Sequence, residues 1–538
     1  MQTLVLLLAP SADVYMAIPA LRAYKRQAGD GQVHILTKES HVQLLSQLDE
    51  VTVHGFAVES IVNAIAQNDD HKKALGLLDE LLMPLKERQF DRVYNLSFSA
   101  LSSYLTDVLA PEGSEVRGYA RHSDGTLRIP DDTSAYVFAQ ILENSPNRYH
   151  KTQIYAATLG VELSLQDLTG TRSSQSRRLV INLETSSNAY PAELWAMAIS
   201  GIQKNDSLEI IISGSPDQSE MAKAIAPNLR FVSNIDLNLS EVDLLVSGPS
   251  RLSGRGSLEG LPVLLLCDRT LNFWENGPWS AGSRVFAVDQ LQAISPDLLA
   301  SEILRMLKNQ EPIGACWLRS VEEQTYKPHQ IEDDLFGWDL LQALYTAGSY
   351  PRARTQTESL GFQRIFEISE LALQSIATWS QSKKRSAENL HMVDEILLQI
   401  AQFCPAVGPI IRWFNTERIR LGPASEEELL QANQKLFSDL FWISSVYREY
   451  ADESSSRRDA AELCQKCAGS FREFDTGQVA PDFQRLLGVF HELARFSSKI
   501  GDQEWSGVLR TLTDGFDRRD FIEVADQLEH VLGPQMNA

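Results

Sequence analysis

The residues whose types suit chemistry fall in a few short stretches. The first holds one carboxylate, Asp13, after the apolar run Leu4–Leu8 and the turn Ala9-Pro10-Ser11-Ala12. A carboxylate where a strand hands over to a helix can take a proton as a general base, or cap the first N–H groups of that helix. The second stretch is Ser250-Arg251-Leu252-Ser253-Gly254-Arg255-Gly256-Ser257, placed between the apolar run Val242–Ser247 and a helical turn at Ser257–Gly260. Its glycines permit close backbone approach to a ligand, N–H groups at a helix start attract anions, and Arg251 and Arg255 add charge. The same residues also fit a surface loop with two solvated arginines. Gly214 and Ser215, after the run Leu208–Ser213, offer a smaller version of that cradle or an ordinary strand-end turn, and Glu184 after Leu179–Leu183 reads as a solvated loop acid.

Other chemistries lack their residues. There is no Gly-x-x-x-x-Gly-Lys-Ser/Thr and no His-Glu-x-x-His, and the ten histidines have no ligand spacing, so neither a P-loop nor a metal site is expected. The five cysteines are few and odd in number, which suits a reducing cytoplasm. Cys464-Gln-Lys-Cys467 lies in a helical pattern with no second pair and reads as two packing thiols.

The elements that must position Asp13 and the arginine-glycine stretch follow from patterning. Leu4–Leu8 is apolar on both faces, as a buried parallel strand is. A helix is expected to begin near Asp13 and to bury Met16, Leu21 and Tyr24. Further strands are expected at Val33–Lys38, Glu50–Val53, Asp91–Leu96 and Val116–Tyr119, with helices over Lys72–Arg88 and Ser99–Leu109. The polar stretch Gly170–Arg178 reads as a linker. Alternation then restarts, with strands at Leu179–Leu183, Leu208–Ser213, Leu229–Ser233, Val242–Ser247, Leu261–Cys267 and Val285–Val288 and helices at Ala192–Ile202 and Gln218–Ala226. From about Glu332 strand patterns end. Helices are expected at Leu335–Thr346, Phe366–Ser380, Ala387–Phe403, Glu426–Tyr450, Arg457–Phe474, Phe483–Ile500 and Phe521–Leu532. The fold class is therefore α/β, two tandem doubly wound domains over residues 1–170 and 177–312, followed by an all-α bundle over 330–538.

Bulk composition bounds the partners. Of 538 residues, 43% are hydrophobic and 22% charged, with a formal net charge of -22. That balance argues against a nucleic-acid binder and against docking on an anionic membrane by charge alone. The start lacks a basic n-region, its apolar run is broken by Pro10 and Asp13, and no stretch approaches a membrane span. Peripheral contact with a membrane stays open.

Several segments, in order, resemble the family 9 glycosyltransferases, which include the ADP-heptose:lipopolysaccharide heptosyltransferases. They are Ser11-Ala12-Asp13-Val14 with Ile18-Pro19-Ala20-Leu21-Arg22, Phe90–Leu96, Arg117-Gly118-Tyr119, Tyr190-Pro191-Ala192-Glu193-Leu194-Trp195, Ser213-Gly214-Ser215-Pro216, Val242–Ser247, Gly260-Leu261-Pro262-Val263 and Gly277-Pro278-Trp279. The resemblance spans about Met1 to Leu307 and implies a GT-B fold, an acceptor-side first domain, a nucleotide-sugar second domain and metal-independent transfer with Asp13 as base. It implies that Gly214, Ser215, Ser250, Arg251, Gly254, Arg255 and Gly256 contact a nucleotide-sugar donor, with no further cofactor. The acceptor would be a protein, such as a surface or flagellar protein, or a glycan such as lipopolysaccharide. The chain departs from the family in three places: Pro249–Gly254 replaces the Asp-Ser/Thr-Gly-Pro-x-His motif, Asn188 aligns with a lysine, and Ala12 replaces glycine. The loss of that Asp and His supports an alternative, a non-catalytic relative that binds a partner through its helical domain.

Overall fold

The computed structural model describes residues 1–447 except 30, 58–59, 62, 64–70, 142–145, 169–176, 185–189, 206–207, 332–334, 346–350, 352 and 423–424. Beyond these it describes 453–472, 483, 486, 511–512, 515, 518 and 521–532. Asn188, most of the linker and most of the helix expected at Phe483–Ile500 lie outside the described residues. The chain divides into a unit of Met1–Val137 with Asn147–Asp333 and a second of Phe138–Pro146 with Asp334–Ala538.

The first unit holds two open sheets. In the front lobe, β1 (Gln2–Leu7), β2 (Gln32–Lys38), β3 (Val51–Phe56), β4 (Arg92–Asn95) and β5 (Glu115–Gly118) run parallel in the order β3-β2-β1-β4-β5. Leu4 to Leu7 are fully buried because helices cover both faces of β1. Helix α1 (Ser11–Ala28) packs on one face with α4 (Lys151–Leu159). The other face takes α2 (His71–Lys86) and α3 (Ala100–Leu109). A small hairpin, β6 (Ala120–Arg121) with β7 (Leu127–Arg128), follows β5.

The rear lobe is built from β8 (Arg178–Asn182), β9 (Glu209–Gly214), β10 (Arg230–Ser233), β11 (Leu244–Ser247), β12 (Val263–Asp268), β13 (Arg284–Val288), β14 (Cys316–Ser320) and β15 (Thr325–His329), in the order β10-β9-β8-β11-β12-β13-β14-β15. The first six strands are parallel; β14 and β15 add an antiparallel hairpin that the sequence reading did not anticipate. Pro328 fits in β15 because an edge strand can lose an N–H donor. Helices α5 (Ala192–Asn205), α6 (Ser219–Ile225), α7 (Arg251–Leu258), the single turn α8 (Phe273–Asn276) and α9 (Pro296–Leu307) complete the lobe. Both sheets reverse strand order beside their first strand, β1/β4 in front and β8/β11 behind, where open α/β sheets bind ligands.

Trp279 pins the lobes together. It is fully buried within the front-lobe core, and its Nε1 donates to the Leu168 carbonyl at 3.1 Å. Next to it, Gly277 O pairs with His150 Nε2 at 2.9 Å and Pro278 O accepts from Tyr326 Oη at 2.5 Å. The resembling segment Gly277-Pro278-Trp279 is thus a joint between lobes.

The second unit is helical, as its periodicity predicts. Its longer helices are α10 (Phe336–Tyr345), α11 (Gln356–Ala377), α12 (Lys383–Phe403), α13 (Gly408–Arg420), α14 (Glu426–Tyr447) and α15 (Glu453–Arg472). Phe362, Val393, Val407, Phe414 and Leu440 form the main core. Helix α11 starts ten residues before the expected Phe366, at a capping box in which Thr355 Oγ1 accepts from Glu358 N and Glu358 Oε2 from Thr355 N. Segment Phe138–Pro146 belongs to this unit: Gln140 Nε2 lies 3.3 Å from Pro409 O and 3.4 Å from Tyr345 Oη. No single described helix is long and apolar enough to cross a membrane.

Candidate active site at the mouth of the two lobes

Helix α1 begins at Ser11, two residues before the expected start, so Asp13 is its third residue rather than its cap. The N-cap is Pro10, which supplies no side-chain bond. The Asp13 carboxylate points to α4 instead: Oδ1 accepts from Lys151 Nζ at 3.0 Å. Lys151 Nζ also lies 3.6 Å from Glu275 Oε1 of α8. One ammonium thus bridges a front-lobe and a rear-lobe carboxylate. Burial, reinforced by the Asp13 charge and opposed by Lys151, raises the Glu275 pKa above the usual carboxylate range. Asp13 Oδ2 accepts no hydrogen bond among the described residues, which leaves one lone-pair face of this acid for a substrate.

Helix α7 brings the rear lobe to the same place. The stretch expected to be a loop before Ser257 is helical from Arg251. A Ser250/Ser253 capping box starts it: Ser250 Oγ accepts from Ser253 N and Ser253 Oγ from Ser250 N. Gly254 lets this helix press on α1, since a Cβ there would stand 3.5 Å from Tyr15 Cβ and 3.8 Å from Ala12 O. Gly256 faces the opposite way, and a Cβ there would meet Leu245 Cδ2 at 3.1 Å. These two glycines serve packing between elements. Arg255 is held by Glu259 at 2.8 Å one turn on, whereas Arg251 stands exposed at the helix start.

Asn182, which the sequence reading passed over, is the hub of the rear switch point. Its Nδ2 lies 3.0 Å from Ser247 Oγ, 3.0 Å from Ser250 Oγ and 3.1 Å from Glu184 O. Its Oδ1 accepts from Asn234 Nδ2 at 3.1 Å, and Asn234 also pairs with the Glu184 carboxylate. Gly214 ends the neighbouring strand β9 and Ser215 follows it, where Ser215 N donates to Gln218 Oε1 at 3.0 Å. Gly214, Ser215, Ser250 and Arg251 therefore share the C-terminal edge of the rear sheet with Asn182 and Glu184. The signal in sequence was a lone amide closing the apolar strand Leu-Val-Ile-Asn.

His150 is locked neutral behind the site. Its Nδ1 accepts from Thr152 N at 3.1 Å, so the proton sits on Nε2 and donates to Gly277 O. Burial foremost, with the charges of Arg319 and Lys151, pushes its pKa down to about 3 despite the Gly277 bond. The unfolded chain then binds the proton first as pH falls below about 6.5, so stability present at neutral pH is lost on acidification. By pH 5 this loss is about 2 kcal/mol. Urea unfolding at pH 7 and pH 5 should show that drop in the wild type and a smaller one in His150→Gln.

No family model matches the chain, and no curated protein matches it. Solved structures do. An E. coli heptosyltransferase, WaaC with ADP, is similar at a TM-score of 0.44 and 16% identity, over 57% of this chain and 100% of that one. A family 9 glycosyltransferase from Veillonella parvula gives 0.41 at 15% identity, over 57% of this chain and 97% of that one. E. coli ADP-heptose lps heptosyltransferase II gives 0.40 at 16%, over 57% and 99%. The two Rossmann-like lobes followed by helices are the architecture the sequence led us to expect.

Proposed function

We propose that the α/β unit is a glycosyltransferase that moves a sugar from a nucleotide-diphosphate donor to an acceptor hydroxyl. The observation that carries this reading is Asp13, held by one oxygen and free at the other, where the first turns of α1 and α7 meet. In a direct displacement, Asp13 Oδ2 takes the acceptor proton as the acceptor oxygen bonds the anomeric carbon. The bond from that carbon to phosphate oxygen breaks, and its electron pair leaves with the diphosphate. The N-terminus of α7, with Ser250 and Arg251, is placed to stabilise that charge, and Gly214 and Ser215 line the nucleotide side. Arg255, Gly254 and Gly256 support α7 from behind.

We assign acceptor recognition to the helical unit, whose Phe403 is 84% exposed at the end of α12, and take the acceptor to be a protein or glycan hydroxyl. The five free cysteines favour a cytoplasmic protein. The test is thermal unfolding with ADP, UDP, GDP and dTDP. A matching nucleotide at one hundred times its Kd should stabilise the protein by about 2.7 kcal/mol. Arg251→Ala should weaken that effect. If no nucleotide stabilises the wild type, the proposal falls and the partner-binding alternative replaces it.

A further inference from the structure

Asp13 shares its cation with a second acid from the other lobe. Lys151 Nζ hydrogen-bonds Asp13 Oδ1 at 3.0 Å and stands 3.6 Å from Glu275 Oε1, an ion pair short of a hydrogen bond. The side chains of Lys151, Asp13 and Glu275 are 18%, 20% and 10% exposed, so water screens them little. Neither acid has another cationic partner among the described residues. Lys151 is the first residue of α4, where the helix dipole disfavours a cation. Helix stability does not explain a lysine there; the two carboxylates do. Glu275 is held in place by its neighbour Trp274, which packs edge-on against Trp317 and Tyr326.

The other titratable groups around this trio do not compete for the ammonium. Tyr155, one turn along α4, is buried and faces both acids. Burial foremost, then the charges of Asp13 and Glu275, push its hydroxyl well above its usual range, so it stays protonated. His150 is neutral with both nitrogens bonded, and Arg319 of β14 acts on His150. Two carboxylates and one ammonium therefore leave one negative charge in excess. A proton arriving at Asp13 removes that excess and leaves Lys151 with one charged partner, Glu275.

We propose that Lys151 is a swinging counter-charge, paired with Asp13 while that acid is a carboxylate and drawn to Glu275 once Asp13 holds a proton. A sub-ångström move of Nζ exchanges the two contacts. No proton leaves Lys151. The proton that moves is the acceptor's, from its hydroxyl to Asp13 Oδ2, and it passes to water when the product departs. Lys151 and Glu275 are positioning residues: by drawing the ammonium from Asp13, the rear lobe sets how readily the front-lobe acid takes a proton. The source of that proton rests on the transferase reading; the exchange of partners does not.

The test has two arms on the full chain. In the first, the Glu275 carboxyl is titrated by 13C NMR and assigned by its loss in Glu275→Gln. Asp13→Asn mimics the protonated acid and should lower the Glu275 midpoint by about one pH unit or more, whereas Lys151→Met should raise it. In the second, nucleoside-diphosphate release from ADP-, UDP-, GDP- and dTDP-sugars is followed against pH. The acidic limb of kcat should move to lower pH in Glu275→Gln, to higher pH in Lys151→Met, and stay in place in Lys151→Arg, which keeps the charge. The Gln, Asn and Arg variants preserve size or charge, and circular dichroism checks their fold. An unmoved Glu275 midpoint in Asp13→Asn overturns the switch. So does a wild type that transfers sugar with a limb indifferent to Glu275→Gln and Lys151→Met, which leaves the transferase reading intact. Shifted midpoints with no sugar transferred from any donor would sink the transferase reading and leave the switch standing.

Discussion

Asp13→Asn should lower sugar transfer about 10²–10⁴-fold while leaving nucleoside-diphosphate affinity unchanged. The asparagine keeps an oxygen to accept from Lys151 Nζ, so the bridge between α1, α4 and α8 can persist. What disappears is the basic oxygen proposed to receive the proton. The measurement is the rate of diphosphate release from the donor that the nucleotide panel identifies, with binding followed separately. Full activity in this variant would reduce Asp13 to an anchor for Lys151 and move the base elsewhere.

Glu302→Ala should cost about 3–5 kcal/mol of stability. Glu302 is completely buried on α9, pairs with Arg284 of β13, and through Oε2 accepts from Ile313 N at 3.1 Å. Arg284 is itself only 8% exposed and also donates to Gln310 O. Removing the acid leaves a guanidinium in the core with one neutral acceptor. A typical domain is stable by about 5–15 kcal/mol, so the loss should appear as a large fall in the urea midpoint. Glu302→Leu combined with Arg284→Met should recover most of it, because an apolar pair of similar size avoids the stranded charge. A loss below 1 kcal/mol in the single variant would mean that the cation finds water.

The alternation of strand and helix was legible because β1, β8, β11 and β12 are apolar on both faces and bounded by polar turns. Helix α7 was not. Arg-Leu-Ser-Gly-Arg-Gly-Ser has the composition of a loop, and its helical state depends on the Ser250 cap and on two glycines that fit against α1 and β11. Helix α13 was missed for a related reason. Gly408-Pro409 reads as a break, although proline in the first helical turn, here the second residue of α13, is a start signal. In the site, Asp13 could be named from its place after β1. Lys151 could not, because its only relation to Asp13 is spatial, across 138 residues of chain. Asn182 likewise gains meaning only when β8 and β11 are known to be neighbours.

The excursion of Phe138–Pro146 has a practical consequence for anyone dissecting this polypeptide. A stop codon after Asp333 would not release a clean α/β fragment. It would strand a nine-residue insert whose Gln140, fully buried in the intact chain, loses Pro409 and Tyr345, and whose Pro146 loses the helix that starts beside Gly337. Minimal versions need a second edit that shortens or re-polarises the insert, and random insertions near 140 should disturb the helices rather than the sheets.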